Sequence, residues 1–404
     1  MTTSLLFHVF GLREQKVLRT DFTHSSVIFK VKTKKEKLQC ALCKSFHVTK
    51  AGVKPRTFKG LPIGFRQVHI SMEVQRVKCH CCGFIRQKHL SFAASKKHYT
   101  RAFERYVHTL SQLTTIKAIA ENLKVSWDTV KEIQKQKLRR RYPKRNFTGL
   151  RKIAIDEFAV KKGHTYKTVV IDLDTGEIVY VGEGKDKNAL EAFWAKLKKQ
   201  NVTLEAVAID MGPAYWSAVQ DNQPQAAIIF DHFHIRKLIN ETLTNIRRGL
   251  YNQEEKTQVR DVLKGTRWLL LKNQENLTEE KNEYRRLNDA LEMNKPLATA
   301  YYLKEELKLL WYQKSKEKAA HFLKQWTDKA FVSKIQQLKT FANTLLAHKR
   351  GILAWYDYPI STGPLEGLNN KIKTMKRQAY GYRDQEFFTL KLYALHKKNY
   401  ALIG

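Results

Sequence analysis

The chain has 404 residues, and its 74 Lys and Arg against 38 Asp and Glu give a formal net charge of +36, which favours a polyanionic partner such as nucleic acid. With 43% hydrophobic residues, the composition is typical of a folded protein with a sizeable core and excludes a disordered basic tail. The sequence has no run of about 18 apolar residues and no secretory pattern at its start, so it predicts a cytoplasmic protein with no membrane partner.

All five cysteines lie between positions 40 and 82, in two CxxC pairs joined by a strand-like stretch. Two such pairs can supply four thiolates to one tetrahedral Zn²⁺. The predicted zinc ligands are Cys40, Cys43, Cys79 and Cys82, with Cys81 as a spare. The alternatives are a disulfide, which is rare in the cytoplasm, or reduced buried cysteines. We expect a structural zinc ribbon, because four thiolates leave no open position for water.

Residues 114–133 predict a helix, a turn and a second helix. The positions predicted to face the core are Ile116, Ile119, Ala120, Val125, Val130 and Ile133. The polar side left over makes the second helix a candidate recognition helix for a major groove. The predicted base contacts are Ser126, Trp127, Thr129 and Lys131, and the predicted backbone contacts are Arg139, Arg140 and Arg141. The alternative is a helical hairpin that serves only the core.

From residue 150 the pattern changes to mixed α/β. Strands are predicted at 152–159, 166–172 and 177–182, then a helix at 187–200, a strand ending at Asp210, a helix at 215–221 and a strand at 226–230. Three meandering strands followed by helix, strand, helix and strand is the order of a ribonuclease-H-like core. Glu157 is expected to point to the opposite strand face from Asp156.

Three carboxylates carry the strongest indication of chemistry. Asp156 lies inside an apolar run, Asp210 ends another, and Glu366 follows a Gly-Pro turn that opens an amphipathic helix. A carboxylate at the end of such a run is costly to bury unless something compensates its charge. Hard oxygen ligands can hold two Mg²⁺ ions that clamp the attacking and leaving oxygens of a phosphodiester. For any one acid, the alternative is a cap or an ion pair with a nearby Lys or Arg.

Residues 235–350 read as helical throughout, which predicts a helical insertion before the helix that carries Glu366. Its tryptophans Trp268, Trp311 and Trp326 are expected in the core rather than at a base-stacking surface. On the later helix, Asn369, Asn370 and Lys373 follow Glu366 at helical spacing and would line the rim of a metal site.

The chain as a whole resembles the DDE transposases of bacterial insertion sequences, of the ISL-three type. The matching segments are the two cysteine pairs and residues 155–158, 209–215, 230–234 and 363–373. That family combines an N-terminal zinc ribbon, a helix-turn-helix and a ribonuclease-H-like catalytic domain interrupted by helices. The resemblance therefore implies a multidomain α/β protein with a zinc ribbon at 1–95, a helix-turn-helix at 96–145, a catalytic core at 150–234 and 360–400, and a helical insertion at 235–359.

The resemblance also implies the site and its chemistry. The catalytic and Mg²⁺-binding (or Mn²⁺-binding) residues would be Asp156, Asp210 and Glu366, with two ions per active site and one structural Zn²⁺ elsewhere. Asp231, His234 and Asn370 would be accessory, and Lys373 would contact DNA. The partners would be the double-stranded DNA of transposon ends and target. A homodimer would act on paired ends in the bacterial cytoplasm, associated with the nucleoid.

Two other functions would fit parts of this pattern. One is a DNA-binding regulator derived from a transposase that has lost catalysis, against which the three intact acids argue. The other is a ribonuclease-H-like nuclease of host function, which would not need two DNA-reading modules.

Overall fold

The structure, a computed structural model, describes residues 5–33, 38–142, 146–161, 165–230, 232–360 and 363–395. Within these ranges it describes the backbone alone at Leu5, Lys161, Glu280, Gly363, Pro364 and Glu366. The chain forms two compact units, the first made of Met1–Lys144 with Lys371–Gly404 and the second of Arg145–Asn370. No helix in the described part of the chain is long and apolar enough to cross a membrane.

The first unit begins with a short helix and a five-stranded mixed sheet. Its elements are α1 (Leu5–Phe10), β1 (Gln15–Phe22), β2 (Ser26–Thr33), β3 (Val48–Lys59), β4 (Gln67–Cys79) and β5 (Ile85–Gln87). The strand order is β1-β2-β4-β3, with β5 paired to β4, and the strands β2 and β4 run parallel. Alternation along β4 buries one face, so that Val68, Ile70 and Met72 pack with Phe10 and Phe58.

Three helices follow: α2 (Arg101–Leu110), α3 (Ile116–Leu123) and α4 (Trp127–Arg141). Each starts at a side-chain cap, because the hydroxyls of Thr100, Thr115 and Ser126 accept hydrogen bonds from the backbone N–H three residues on. Ile119, Ala120, Val130 and Ile133 are buried as predicted, while Ile116 and Val125 pack against the same cluster and are partly buried. The predicted helix-turn-helix core is therefore confirmed.

The second unit contains a sheet with two covering helices. Its elements are β6 (Lys152–Lys161), β7 (Thr165–Asp172), β8 (Ile178–Glu183), α5 (Glu191–Lys199), β9 (Ala206–Ile209), α6 (Pro213–Asn222) and β10 (Ala227–Phe230). The strand order is β10-β9-β6-β7-β8, in which β6, β7 and β8 form an antiparallel meander and β9 and β10 run parallel to β6. The predicted succession of strands and helices is confirmed.

Helices make up the rest of the second unit. They are α7 (His232–Gln253), α8 (Thr257–Gly265), α9 (Arg267–Leu271), α10 (Glu283–Met293), α11 (Lys295–Leu307), α12 (Lys316–Val332), α13 (Gln336–Ala347) and α14 (Lys349–Leu353). Trp326 lies in their core and donates from Nε1 to the carbonyl of Leu303 at 2.9 Å. The prediction of a core position is wrong for Trp268, which is 66% exposed, because α9 buries Leu269 and Leu270 and leaves Trp268 on its solvent side.

Two helices complete the chain. Helix α15 (Gly363–Gln378) begins in the second unit and ends in the first, and α16 (Gln385–Ala394) belongs to the first unit. In the first unit α16 packs against α4, where Lys135 of α4 meets Asp384 at 2.8 Å and Glu386 at 3.0 Å. Asp384 also caps α16, since its side chain accepts from the N–H of Phe387.

Candidate functional site

Asp156 lies in the middle of β6, inside the sheet of the second unit. Its carboxylate accepts two hydrogen bonds, one from the N–H of Glu157 at 2.8 Å and one from Nδ2 of Asn369 at 2.6 Å. The pKa of Asp156 is raised above its usual value, mainly by burial. The two hydrogen bonds and the charge of His234 lower this pKa, while the charge of Asp210 raises it. Burial and the neighbouring Asp210 therefore oppose ionisation of the Asp156 carboxyl group.

Asp210 directly follows β9 and lies beside Asp156. The strands β6 and β9 are parallel and pair Ala154 with Ala208, so both acids stand two residues beyond the same register position. Adjacent strands are about 4.8 Å apart, which places the two carboxylates in each other's field. The Asp210 carboxylate accepts from the N–H of Gly212 at 3.0 Å. A Cβ at position 212 would lie 2.8 Å from Asp210 Oδ1, so any other residue there would displace this carboxylate.

Helix α15 supplies the third component. Glu366 and Asn369 are three residues apart on this helix. The side chain of Glu366 lies outside the described residues, and the structure therefore brings together two of the three predicted acids. Asn369 was predicted only as a rim residue, yet it contacts Asp156 directly. Asn370 and Lys373 are exposed on the same helix.

A second layer of polar side chains lies next to the two acids. Glu157 hydrogen-bonds the hydroxyl of Tyr215 from α6, and that hydroxyl lies 3.0 Å from Oγ1 of Thr168 on β7. Burial raises the pKa of Glu157, and the charges of Asp210 and Asp156 raise it further. Sequence reasoning gave Tyr215 no role, because an aromatic residue in an amphipathic helix reads as ordinary core. Its position five residues after Asp210 was the available signal.

The accessory residues are placed as follows. His234 lies in the first turn of α7, half-buried, and its charge acts on Asp156. Asp231 lies outside the described residues, so the structure does not place it. The accessory roles of His234 and Asn370 remain predictions.

The four predicted zinc ligands come together in the first unit. The sulfur atoms of Cys40, Cys43, Cys79 and Cys82 all lie within 4.8 Å of one another. Two of these pairs are separated by 3.7 Å (Cys40 and Cys82) and 3.5 Å (Cys43 and Cys79). A tetrahedral Zn²⁺ with bonds of about 2.3 Å needs sulfurs about 3.8 Å apart, so the donor set fits zinc.

Backbone turns hold these cysteines. Gly83 takes a φ of +74°, which glycine adopts without strain, and its N–H donates to the carbonyl of Cys79 at 3.0 Å. The N–H groups of Cys82 and Cys81 help to lower the pKa of the Cys79 thiol to about 6, although burial opposes this, and a thiolate is the form that binds metal. Cys81 is exposed, with its sulfur 3.1 Å from Oγ of Ser45. It therefore belongs outside the cluster, as the sequence predicted.

Helix α4 and its cap carry the predicted base contacts. Trp127 is exposed, whereas Ser126, Thr129 and Lys131 have partners within the protein. Trp127 is 56% exposed, and the ammonium of Lys131 lies 5.0 Å from its ring centroid. Ser126 serves as the cap of α4 and Thr129 hydrogen-bonds it, with 2.9 Å between their side-chain oxygens. Lys131 also forms an ion pair with Asp128 at 3.2 Å.

The three arginines in the last turn of α4 have partners within the first unit. Arg139 binds Glu386 through two hydrogen bonds of 2.5 and 2.6 Å, and Arg140 lies 3.3 Å from Glu104. The Arg141 guanidinium lies 6.0 Å from the ring centroid of Tyr142. Sequence reasoning could not foresee these pairs, since Glu386 lies 247 positions from Arg139. Their contact with DNA remains a prediction.

Known proteins match this chain along most of its length. A family model described as a transposase matches residues 153–392, and a model of the helix-turn-helix domain of transposase family ISL3 matches residues 89–136. The transposase for insertion sequence element IS1001 of Bordetella parapertussis is 36% identical over 368 residues, covering 89% of this chain and 88% of its own. The transposase for IS1557 of Mycobacterium tuberculosis is 28% identical over 375 residues, covering 86% and 82%.

A Drosophila P element transposase strand transfer complex aligns at a TM-score of 0.34 and 11% identity, covering 62% of this chain and 78% of that one, a likeness too weak to establish a shared fold. The family models and the curated relatives agree, and the chain belongs to the ISL3 family of insertion-sequence transposases.

Proposed function

We propose that this transposase recognises the ends of its insertion sequence with residues 1–145 and catalyses DNA strand cleavage and strand transfer at Asp156, Asp210 and Glu366. The observation that carries the proposal is that three distant segments meet at one sheet. Asp156 lies on β6 and Asp210 directly follows the neighbouring parallel strand β9, each two residues beyond the pair Ala154 and Ala208. Asn369 reaches Asp156 from α15, three residues after Glu366.

A divalent metal suits this donor set. DDE transposases use divalent metal, and carboxylate oxygens are the hard donors that Mg²⁺ and Mn²⁺ take. Burial and the charge of Asp210 both raise the pKa of Asp156, an opposition that a bound cation would remove. When bound, the metal would activate a hydroxyl oxygen and stabilise charge on the phosphate. We propose two ions per site, held by Asp156, Asp210 and Glu366.

The protein's own groups orient these acids. Asn369 holds one oxygen of Asp156, and the N–H of Gly212 holds one oxygen of Asp210. The attacking groups would be water at each transposon end and then the freed 3′-hydroxyl, which attacks target DNA. No side chain is needed as a nucleophile, so no covalent protein intermediate forms.

The sheet supports a ribonuclease-H-like core. Its order places an antiparallel meander on one side and two parallel strands on the other. The first acid stands within the first strand of this sheet and the second directly after the fourth, as that core requires. The division into zinc ribbon (1–95), helix-turn-helix (96–145), catalytic core (150–234 and 360–400) and helical insertion (235–359) is proposed with it. We also propose that two copies act together on paired ends.

A cleavage assay tests the catalytic proposal. The purified protein is incubated with Mg²⁺ or Mn²⁺ and a duplex that carries the element's terminal repeat. Asp156→Asn, Asp210→Asn and Glu366→Gln should each abolish cleavage while end binding stays within about threefold, because each removes a charged metal ligand. Asp289→Asn, which changes an exposed acid of α10, is the matched control and should cleave normally. Normal cleavage by any of the first three variants removes that residue from the catalytic set.

A further inference from the structure

A basic concavity of about 350 Å³ lies in the first unit between the sheet and the helix-turn-helix. One wall comes from β3 and β4, where Lys59 and His69 are direct cross-strand partners. A second wall is the loop before α2, and the third is the turn between α3 and α4 with the start of α4. The basic side chains that line it, named here the basic pocket, are Lys59, His69, Lys96, Lys97, His98 and Lys124.

The basic pocket brings basic side chains close to one another. Its lining among the described residues includes Thr57 and Thr129 but no carboxylate. Burial lowers the pKa of Lys59, and the nearby charge of Lys124 lowers it further. The pKa of His69 is lowered by burial and then by the charge of Lys59. The groups are therefore close enough to repel one another.

Another lysine of this unit, Lys135, has acidic partners. Lys135 is buried, and its ammonium meets the carboxylates of Asp384 and Glu386. Among the described residues that line the basic pocket no carboxylate offers such a counter-charge, so the repulsion between its cations is not offset. A group of cations in a partly desolvated concavity is stabilised when an anion enters it.

We propose that the basic pocket binds phosphodiester groups of the DNA backbone, so that the sheet and the helix-turn-helix grip one stretch of duplex together. This inference rests on the proposed recognition of insertion-sequence ends, and it adds a binding site for that DNA whose basic residues lie outside the predicted recognition helix α4.

The position of the pocket favours duplex backbone over a free anion. Lys124 caps α3, and Thr129 lies in the first turn of α4, two residues after the exposed Trp127. A recognition helix enters the major groove by its first turns, and the groove is bordered by phosphates. A duplex that receives Trp127 therefore presents its backbone next to Lys124 and Thr129.

The test compares two double variants. Lys59→Gln with Lys124→Gln removes two charges from the basic pocket. Lys50→Gln with Lys54→Gln removes two exposed charges from the same strand, β3, outside the pocket. Binding of terminal-repeat and scrambled duplexes is titrated at salt concentrations from about 0.05 to 1 M.

The pocket variant should lose about 1.8 from the slope of log affinity against log salt, since each phosphate contact contributes about 0.9. This corresponds to a loss of about 60-fold at 0.1 M salt relative to 1 M, equal for both duplexes because phosphates carry no sequence information. The control should change the slope by less than half as much. The pocket variant should unfold at a temperature no lower than the native protein, since it loses only repulsion.

Two results overturn the proposal. One is a salt slope in the pocket variant equal to that of the control. The other is tight binding of tripolyphosphate that depends on Lys59 and Lys124 while DNA binding does not, which would make the pocket a free-anion site. If the native protein fails to prefer the terminal repeat, end recognition is wrong, and the scrambled duplex still decides whether the pocket binds backbone.

Discussion

Asn369 donates a 2.6 Å hydrogen bond from Nδ2 to Oδ2 of Asp156, across 213 positions of sequence. This bond ties α15 to the central strand β6, in the same turn of helix as Glu366. It fixes the orientation of one carboxylate oxygen and leaves Asp156 with a partner that carries no charge. The amide therefore positions the acid without neutralising it.

Removal of this amide should weaken metal-dependent cleavage. We expect Asn369→Ala to lower the cleavage rate about 10–100-fold and to raise the Mg²⁺ concentration needed for half-maximal rate, because outer partners of metal ligands contribute effects of this size. End binding should be unchanged. The control is Asn343→Ala, an exposed amide on α13. An unchanged Mg²⁺ dependence in the Asn369 variant would show that the hydrogen bond has no part in metal binding.

Zinc content should depend on four of the five cysteines. The native protein should hold one Zn²⁺ per chain, and Cys43→Ser or Cys79→Ser should lose it and destabilise the first unit, since metal binding energy is folding energy there. Cys81→Ser is the matched control and should keep its zinc, because its sulfur contacts Ser45 instead of the cluster. Metal analysis of the purified variants measures this. Zinc loss in the Cys81 variant would contradict the ligand assignment.

The exposed aromatic ring of α4 should contribute to sequence discrimination. Trp127→Ala should reduce the preference for the terminal repeat over a scrambled duplex by about 1–3 kcal/mol, the range for one good base contact. Trp268→Ala, which removes an exposed ring of the helical insertion, should leave the preference intact. Competition titrations with the two duplexes give the answer. If the Trp127 variant keeps its full preference for the terminal repeat, α4 does not contact the bases, and the sheet of the first unit becomes the better candidate.

A buried histidine should make the first unit sensitive to acid. Burial, and the charges of Lys137 and Arg140, lower the pKa of His108 from 6.5 to about 4. Between these values the unfolded chain binds a proton at His108 and the folded chain does not. The free energy of unfolding is therefore retained above pH 6.5 and falls as the pH drops towards 4. From pH 8 to pH 5 the loss should be about 2 kcal/mol.

Denaturant unfolding at both pH values measures this loss. His108→Gln should remove about 2 kcal/mol of the pH dependence of the unfolding free energy. The exposed His24→Gln variant should retain it. Identical pH profiles for native protein and His108→Gln would mean that His108 titrates normally in the fold.

Local patterns in the sequence were sufficient for much of this protein. The CxxC spacing predicted the four clustered sulfurs, and the apolar spacing of Ile119, Val130 and Ile133 predicted the helix-turn-helix core. Alternation and apolar runs predicted the strands that carry Asp156 and precede Asp210. These features depend on neighbours one to four residues away, so a single sequence contains their cause.

Tertiary packing decided which polar residues meet. Lys131 and Arg139 read as DNA contacts because their partners, Asp384 and Glu386, lie far along the chain and approach only when α16 packs on α4. The contact of Asn369 with Asp156, and the approach of Lys59 to Lys124, have the same origin. The sequence by itself determined the elements, the cysteine cluster and the candidate acids, because local spacing and residue chemistry specify them. Only the tertiary structure decided which charges are paired and which are gathered without a counter-charge, because electrostatic energy depends on distances that the fold alone creates.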